Sequence, residues 1–564
     1  MRTGLVRSGR RPCRRSRTTY RCADGTVIAY RSDYFAPNAQ ANPTPRNYLK
    51  LTPGTAPGAA TAVVTETQLN RNLTEVLEGN ATRTYSLPRT IETVRRDAFI
   101  DKRTLRSVRF NSCLETLGNS CFANTGLETL VFPASVTLLE DEAFVMCRRL
   151  KRADLANARK LKILGQGAFS ACGALQNVIL GDGLETIGDS CFTECALIEL
   201  TIPRNVKTIG NGAFHSCRLL KQVAFAGNAL LTIGEYAFTE SGLQTFTAPP
   251  SLRRIGESAF ADCLLLKRVD LSACLAENKN DGDTFLARRA FESSGVENVR
   301  LPPQLQVIGE RAFAGCKGLR EIIFDKDAVL EEIRMNAFYG SGLESFRAPS
   351  SLEKIGGMAF GRCRHLTYSD PNDNIQEFGY LSLWGTGISY LKLPPRIQMT
   401  QEQLGLGQKN LRTVILPDGL AAVEDHLFEG SDIEQVVVSS SVKEFKKWAF
   451  GNCEQLHDIV FVRKSCLESI GNNCFTSCGF ASVVIPRSVR SIGHGAFSFC
   501  ARLSSLVFEE GSQLQRVGIC AFECTALESE QLRYPNGVEE DKSGDESLSE
   551  DEYGSASDLS EGLW

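Results

Sequence analysis

The sequence predicts a β-rich solenoid, in which short coils of chain stack on one another around one shared interior. Two observations carry this prediction. One phrase returns along most of the chain, and its clearest copy is TIPRNVKTIGNGAFHSCRLLKQVAF at Thr201–Phe225. The Phe of each copy, which we call the anchor, recurs mostly about every 22 to 25 residues, a period typical of stacked-coil repeats. The anchors are Phe99, Phe122, Phe144, Phe169, Phe192, Phe214, Phe238, Phe260, Phe291, Phe313, Phe338, Phe360, Phe428, Phe450, Phe475, Phe497 and Phe522.

The end of the phrase predicts a β-strand. Apolar and polar residues alternate from Leu220 to Phe225, which is the strand period and places Val223 and Phe225 inside. Pro203 follows the equivalent strand one coil earlier and ends its ladder, because proline has no amide proton. One such unit is too short to enclose its apolar residues, so it must bury them against the coils above and below.

The middle of the phrase predicts a turn and a short helical segment. Gly210 is expected to turn the chain sharply, since glycine adopts backbone angles that other residues avoid. Asn211 to Cys217 then predicts a short helical turn that carries Phe214 inward. Ala213 and Cys217 lie four residues apart, so they share one face and are small enough for close stacking between coils.

The coils come in two forms. In the long form the next core residue follows the anchor by six positions, as Leu220 follows Phe214. In the short form it follows by five, after Ser-Gly, as Leu243 follows Phe238. The forms alternate imperfectly, which indicates that a pair of coils was the duplicated unit.

Composition divides the chain into four regions. Residues 1–64 form an Arg-rich, basic leader and linker expected to be poorly ordered, 65–86 a cap, 87–530 the solenoid and 531–564 an acidic, Ser-rich tail expected to be disordered. The polar insert Glu277 to Asp283 is expected to loop out. Between Phe360 and Phe428 we expect two worn coils, meaning coils in which the repeated phrase is degenerate. The total is about nineteen coils.

The cysteines follow the repeat. Ten of them lie three residues after an anchor, and three others take the Ala slot before it, which is the distribution of a small buried residue rather than of disulfide partners. Three pairs have a spacing that could hold a metal, but it is not the usual zinc spacing and no second pair lies nearby. These pairs are Cys191/Cys195, Cys474/Cys478 and Cys520/Cys524.

The phrase from Ile209 to Phe225, repeated nearly intact at Ser491–Phe508, resembles the BspA-like leucine-rich repeat family. The resemblance implies a leucine-rich-repeat solenoid with a curved parallel sheet and short helical turns. Members of the family are often cell-surface or secreted proteins with adhesive roles, and the family implies no catalytic residues.

No residue set predicts catalysis, a cofactor or a metal site. The histidines lie at different positions of the repeat in different coils. The glycines recur at the turns of the repeat and do not form a phosphate-binding loop. No apolar run is long enough to span a bilayer, and the start lacks the apolar core of a secretory signal. The histidines are His215, His365, His426, His457 and His494.

The outward residues of the strands predict a binding surface on the concave sheet. In the first coils the outward residues are mostly polar, and the apolar ones do not lie on neighbouring strands. In the last five strands they are all β-branched and are expected to form one apolar stripe, at Ile415, Val437, Val460, Val484 and Val507. Strand propensity alone would also favour Val and Ile at these positions. A contiguous exposed apolar stripe, however, is unusual without a partner.

The sequence therefore predicts a non-enzymatic interaction scaffold that binds a protein or another macromolecule, with no small-molecule substrate. The alternative is a cell-surface or secreted adhesin. The reduced-looking cysteines and the missing secretory signal favour the cytoplasm, whereas the family resemblance favours the cell surface. A third hypothesis is nucleic-acid binding by the Arg-rich start, which predicts binding that weakens steeply with salt and requires residues 1–46.

Overall fold

The computed structural model describes residues 18–21, 27–30, 84–274, 285–370, 373–397, 410–462, 464–528, 530, 532–538 and 540. The chain separates into two compact units, Met1–Ala60 and Thr61–Trp564. In the first unit, Thr18–Arg21 pairs antiparallel with Val27–Tyr30. The rest of the predicted leader, and residues 65–83 of the predicted cap, lie outside the described residues.

The second unit is a parallel β-solenoid, as predicted, and most described coils contribute one strand to each of two faces. One face carries strands of three or four residues, which we call the long strands, joined in parallel ladders of two to five. The long strands are Thr84–Ser86, Ser107–Arg109, Thr129–Val131, Arg152–Asp154, Asn177–Ile179, Glu199–Ile202, Gln222–Phe225, Thr245–Thr247, Arg268–Asp270, Asn298–Arg300, Ser345–Arg347, Tyr368–Asp370, Tyr390–Lys392, Thr413–Leu416, Gln435–Val438, Asp458–Phe461, Ser482–Ile485 and Ser505–Phe508.

The other face carries strands of two residues, which precede the anchors. In each, the first side chain points outward and the second is buried in the shared interior. The short strands are Thr93–Val94, Thr116–Leu117, Leu138–Leu139, Ile163–Leu164, Thr186–Ile187, Thr208–Ile209, Thr232–Ile233, Arg254–Ile255, Val307–Ile308, Glu332–Ile333, Lys354–Ile355, Glu377–Phe378, Ala422–Val423, Glu444–Phe445, Ser469–Ile470, Ser491–Ile492 and Arg516–Val517.

The anchor side chains form a buried column between the two faces. Neighbouring Phe rings lie 4.6–5.6 Å apart between centroids and within 2–21° of parallel. Leu383 takes the Phe position in the first worn coil and is equally buried. Eighteen anchor positions, those of the seventeen Phe and Leu383, therefore lie among the described residues. Thr413–Leu416 is the long strand of a further coil, whose anchor region falls outside them.

The predicted helical turn around the anchor is wrong in its geometry. Residues 211–216 form consecutive tight turns, and the described residues contain no α-helix, only one 3-10 turn at Pro535–Gly537. The amides of Gly212, Phe214 and Ser216 donate to carbonyls of the next coil over 2.7–2.8 Å, while the amides between them bond within the turn. An α-helix would use all these amides internally, so the tight turns are what allow coils to bond to each other here.

The predicted role of Gly210 also needs correction. Its backbone is not in the left-handed region; instead it lies against the coil before it. A Cβ on Gly210 would lie 2.7 Å from both the amide nitrogen of Asp189 and the carbonyl carbon of Gly188. Left-handed angles occur two residues before and two after the anchor, at Gly212 (φ 57°) and Ser216 (φ 55°). Glycine at position 210 is therefore required by the close approach of two backbones.

The cysteine column is buried, as the repeat pattern predicted, and it also makes hydrogen bonds. Each of the ten thiols three residues after an anchor donates to the carbonyl of the preceding anchor over 3.0–3.2 Å. For example, Cys217 Sγ donates to Phe192 O over 3.0 Å. The described cysteines are all free thiols, fourteen buried and four exposed.

Outside the regular coils, some residues pack against the solenoid and others lie beyond the described ranges. Leu532, Tyr534 and Val538 pack against the core past the last anchor, Phe522. The insert predicted to loop out at 277–283 and the tail after Glu540 lie outside the described residues. At the other end, Thr84–Ser86 already pairs with Ser107–Arg109, so the ladder begins before the first copy of the phrase.

Candidate protein-interaction surface

The predicted stripe lies on the outward side of the long strands in the C-terminal coils. In Thr413–Leu416 and Gln435–Val438 the second and fourth side chains are buried and the third is partly exposed. The strand period therefore places Ile415 and Val437 outward while Val414 and Val436 fill the interior. The same alternation places Val484 outward in Ser482–Ile485.

Ladder register brings the stripe residues together in two groups. Ile415 pairs with Val437, and Val437 pairs with Val460, so these three lie side by side on neighbouring strands. Val484 pairs with Val507 in a separate two-stranded ladder. Among the described strands, Asp458–Phe461 and Ser482–Ile485 share no ladder, which interrupts the backbone pairing within the stripe.

Exposure differs along the stripe. Ile415 and Val437 are half-buried, whereas Val460, Val484 and Val507 are 38%, 52% and 48% exposed. Val462, two residues beyond Val460, is 59% exposed and widens the apolar surface. Sequence reasoning missed Val462 because it follows the strand, where the alternation that identified the other residues has ended.

A cavity of about 370 Å³ opens beside the stripe. Ile415 and Val462 contribute to its apolar wall, and the cavity lies where Thr413–Leu416 and its neighbours end. Its polar rim includes Lys392, whose Nζ lies 3.6 Å from Asp373 Oδ1. The remaining lining residues are Pro395, Leu416, Pro417, Asp418, Ser439 and Ser440.

The outward row in the N-terminal coils has a different character. Its apolar members stand singly between polar residues: Val131, 61% exposed, pairs with Asp154, and Ile323 bridges to Arg300. Val131 is a further exposed residue that sequence reasoning left out. The predicted members of this row are Asp154, Ile179, Thr201, Ala224, Thr247, Asp270, Arg300, Ile323 and Arg347, followed by Lys392, and each is exposed or partly exposed.

The titratable groups do not gather into a site in the described chain. Within it, no three His, Cys, Asp or Glu side chains are placed to hold a metal ion. Burial raises the pKa of the Cys217, Cys263 and Cys316 thiols to about 12, which opposes the thiolate form that metal binding and nucleophilic chemistry need. Cys520 and Cys524 are exposed on the last coil.

The histidines fill separate local roles. Burial lowers the pKa of His215, and Nδ1 of His494 accepts the Ile519 amide over 3.0 Å. His426 Nδ1 lies 2.7 Å from Glu429 Oε2 on its own turn. Over the described ranges, no helix has the length and apolar character required to cross a bilayer.

Solved structures similar to this chain include leucine-rich repeat proteins from bacteria. A leucine-rich repeat protein from Bacteroides ovatus is 19% identical, with 73% of this chain and 91% of that chain covered and a TM-score of 0.38. A leucine-rich cell surface protein from Faecalibacterium prausnitzii is 21% identical over 68% and 89% of the two chains, with a TM-score of 0.32. The pneumococcal vaccine antigen PcpA is 17% identical over 76% and 89%, with a TM-score of 0.28.

Sequence comparison identifies the family. No curated protein matches the chain. The family model described as a BspA type leucine-rich repeat region, in six copies, matches residues 74–160, 156–267, 284–405, 406–466 and 468–543. These ranges span most of the chain and coincide with the stacked coils. The chain therefore belongs to the BspA type leucine-rich repeat family.

Proposed function

We propose that this protein is a non-enzymatic interaction scaffold that binds a macromolecular partner through the long strands of its C-terminal coils. The observation that supports this most is the apolar stripe, in which Val460, Val484 and Val507 are each exposed at the outward position of a long strand. Burying a half-exposed Val against a partner contributes about 1 kcal/mol, so several in one row supply a useful part of a binding free energy.

The cavity supports the same proposal. It adjoins the half-buried Ile415 and the exposed Val462, and it carries Lys392, Asp373 and Asp418 at its rim. An apolar floor surrounded by a few charged groups suits an inserted side chain of a partner, with polar contacts to fix its orientation.

Strand propensity is the competing explanation, and the N-terminal coils show what it alone produces. There Val131 and Ile323 are exposed singly, with Asp154 and Arg300 beside them in the ladder. In the C-terminal coils every outward residue from Ile415 to Val507 is β-branched. Propensity does not explain why the polar neighbours disappear in this region.

Replacing Val460 and Val484 with Glu tests the proposal. Both side chains point outward, so the fold is expected to survive, while two carboxylates in an apolar interface are expected to weaken partner capture at least about tenfold. The measurement is cross-linking and quantitative mass spectrometry of partners bound in an extract of the native organism, with circular dichroism as the check on folding.

Val131→Glu is the matched control, since Val131 holds the same strand position in a distant coil and is more exposed than either stripe residue. This control is expected to capture the same partner as the unchanged protein. Equal capture by the double variant and the control would refute the stripe as the binding surface.

Family membership favours a second candidate function, that of a surface adhesin. A scaffold inside the cell would lie in a reducing environment, whereas a surface adhesin would be exported, and exported proteins commonly pair their cysteines. The structure gives a defined expectation for the reduced protein, because fourteen described thiols are buried and Cys113, Cys466, Cys520 and Cys524 are exposed.

Thiol titration of the protein isolated from its native source separates the two candidates. For the scaffold, we expect the exposed thiols to react at once and the buried thiols only after unfolding, with no thiol consumed by pairing. A deficit of thiols in the unfolded, unreduced protein would instead indicate export into an oxidising compartment.

A further inference from the structure

A second surface lies on the edge formed by the anchor turns, away from the long strands. Six side chains in three successive coils occupy it, and we call them the turn-edge patch: Met335, Tyr339, Met358, Arg362, Tyr380 and Trp384. Met335 and Tyr380 are 49% and 47% exposed, and Arg362 is exposed. Trp, Tyr, Met and Arg are the residue types most enriched where proteins bind one another.

Arg362 is held between two aromatic rings. Its Cζ lies 5.8 Å from the Tyr339 ring centroid and 5.2 Å from the Trp384 ring centroid, with one ring from the coil before and one from the coil after. Among the described residues, no carboxylate forms an ion pair with Arg362, whereas Arg320, nearby in sequence, pairs with Glu344 at 3.0 Å. A guanidinium stacked in this way keeps its N–H edge available for an oxygen anion.

We propose that the turn-edge patch binds the acidic C-terminal segment of the same chain, residues 541–564. This segment has eight acidic residues and one Lys, a net charge of 8 − 1 = 7 negative, and its large apolar residues are Leu548, Tyr553, Leu559, Leu563 and Trp564. A carboxylate of the segment meets Arg362, and its aromatic and Leu side chains cover the Met and Tyr side chains of the patch.

The segment is long enough to reach the patch, and its attachment to the same chain raises its effective concentration there. It starts on the last coil, where Glu540 bridges to Val517, and Arg362 lies about seven coils away, or roughly 35 Å at about 4.8 Å per coil. An extended segment of 24 residues spans up to about 80 Å. Tethering gives it an effective concentration of about 1 mM at the patch, so weak contacts suffice and free acidic peptides compete poorly.

Photo-cross-linking in the full chain tests this contact. With Tyr553→p-benzoylphenylalanine, illumination is expected to attach the tail to residues within 335–384 of the same molecule. Arg362→Glu is expected to lower this cross-link about tenfold, because it replaces attraction by repulsion, and Arg362→Lys to lower it less. Added free peptide 541–564 at millimolar concentration is expected to compete.

Arg320→Glu is the control for general electrostatics, since it makes the same charge change at an arginine that already has a partner. It is expected to leave the cross-link unchanged. Cross-links to other coils, equal loss in the Arg320 and Arg362 variants, or cross-linked dimers in place of monomers would each overturn the proposal; dimers would assign the patch to the tail of a second copy.

Discussion

At the scale of single residues, the cysteines explain much of how coils are held together. The carbonyl of Phe192 accepts the Cys195 amide within its own turn and the Cys217 thiol from the next coil. A carbonyl oxygen has two acceptor sites, so the thiol fills the second site of this buried oxygen, which an Ala at the same position would leave unused. Cysteine is therefore small enough for the column and polar enough to connect it.

The same burial makes the fold sensitive to alkali. Because the pKa of Cys217 is about 12 in the folded protein and about 9.0 for an ordinary thiol, the unfolded chain releases protons that the folded chain keeps. The stabilisation is complete below pH 9 and is lost as the pH rises from 9 to 12. At pH 10.5 each such thiol is expected to lower the free energy of unfolding by about 2 kcal/mol, which urea unfolding at pH 8 and 10.5 measures.

Cys217→Ala isolates the effect of one thiol. This variant is expected to be less stable than the unchanged protein at pH 8, since Phe192 loses a hydrogen-bond donor, yet to lose less stability between pH 8 and 10.5. An identical alkaline loss in both proteins would show that the thiols do not cause it.

At the scale of the coil, the two forms of repeat prove to be complementary. In short-form coils a hydroxyl three residues after the anchor contacts the Cys of the next, long-form coil, as Ser241 Oγ lies 3.3 Å from Cys263 Sγ. The Gly that follows allows the coils to approach, since a Cβ on Gly242 would lie within 3 Å of the Arg218 backbone. Paired contacts of this kind make a short-form coil and the following long-form coil one packing unit.

The close-approach glycines give a prediction at this scale. Gly210→Ala is expected to destabilise the fold by about 2 kcal/mol, because the new methyl group meets the backbone of Asp189 and Gly188, which cannot move without shifting a coil. Gly173→Ala is the control: nothing lies within 4 Å of a Cβ there, so it is expected to be neutral or slightly stabilising. Thermal unfolding of both variants compares them, and equal melting temperatures would contradict the close-approach explanation.

The sequence predicted the stack well and the turns poorly, for a physical reason. Burial repeats with the period, so Phe214, Cys217 and Val223 were identifiable from spacing alone. The positions with left-handed backbone angles could not be identified from residue type, since one is occupied by Ser216 in one coil and another by Met358 in a different coil. The interruption between Val460 and Val484 was likewise invisible, because it depends on ladder pairing and not on residue type.

At the scale of the whole solenoid, the ends of the stack are the places where one chain is expected to associate with another. A solenoid ends in a coil whose interior face and strand edges have no neighbour, and such edges pair readily with other chains. Here Tyr534 covers the last coil, with its ring 6.2 Å from Phe522 and 6.3 Å from Phe508. Burial raises the pKa of Tyr534 to about 12, and Glu540 bridges to Val517 at the strand edge.

Removing this cover is therefore expected to convert the last coil into an association site. A chain truncated after residue 528 exposes Phe522 and the edge at Val517, so it is expected to self-associate in the micromolar range and to melt at a lower temperature. A chain truncated after residue 540 keeps Tyr534 and Glu540 and is expected to remain monomeric. Sedimentation velocity over a concentration series distinguishes the two, and the cover has no such role if both chains sediment alike, because only the shorter one lacks the Tyr534 contact with the last anchor.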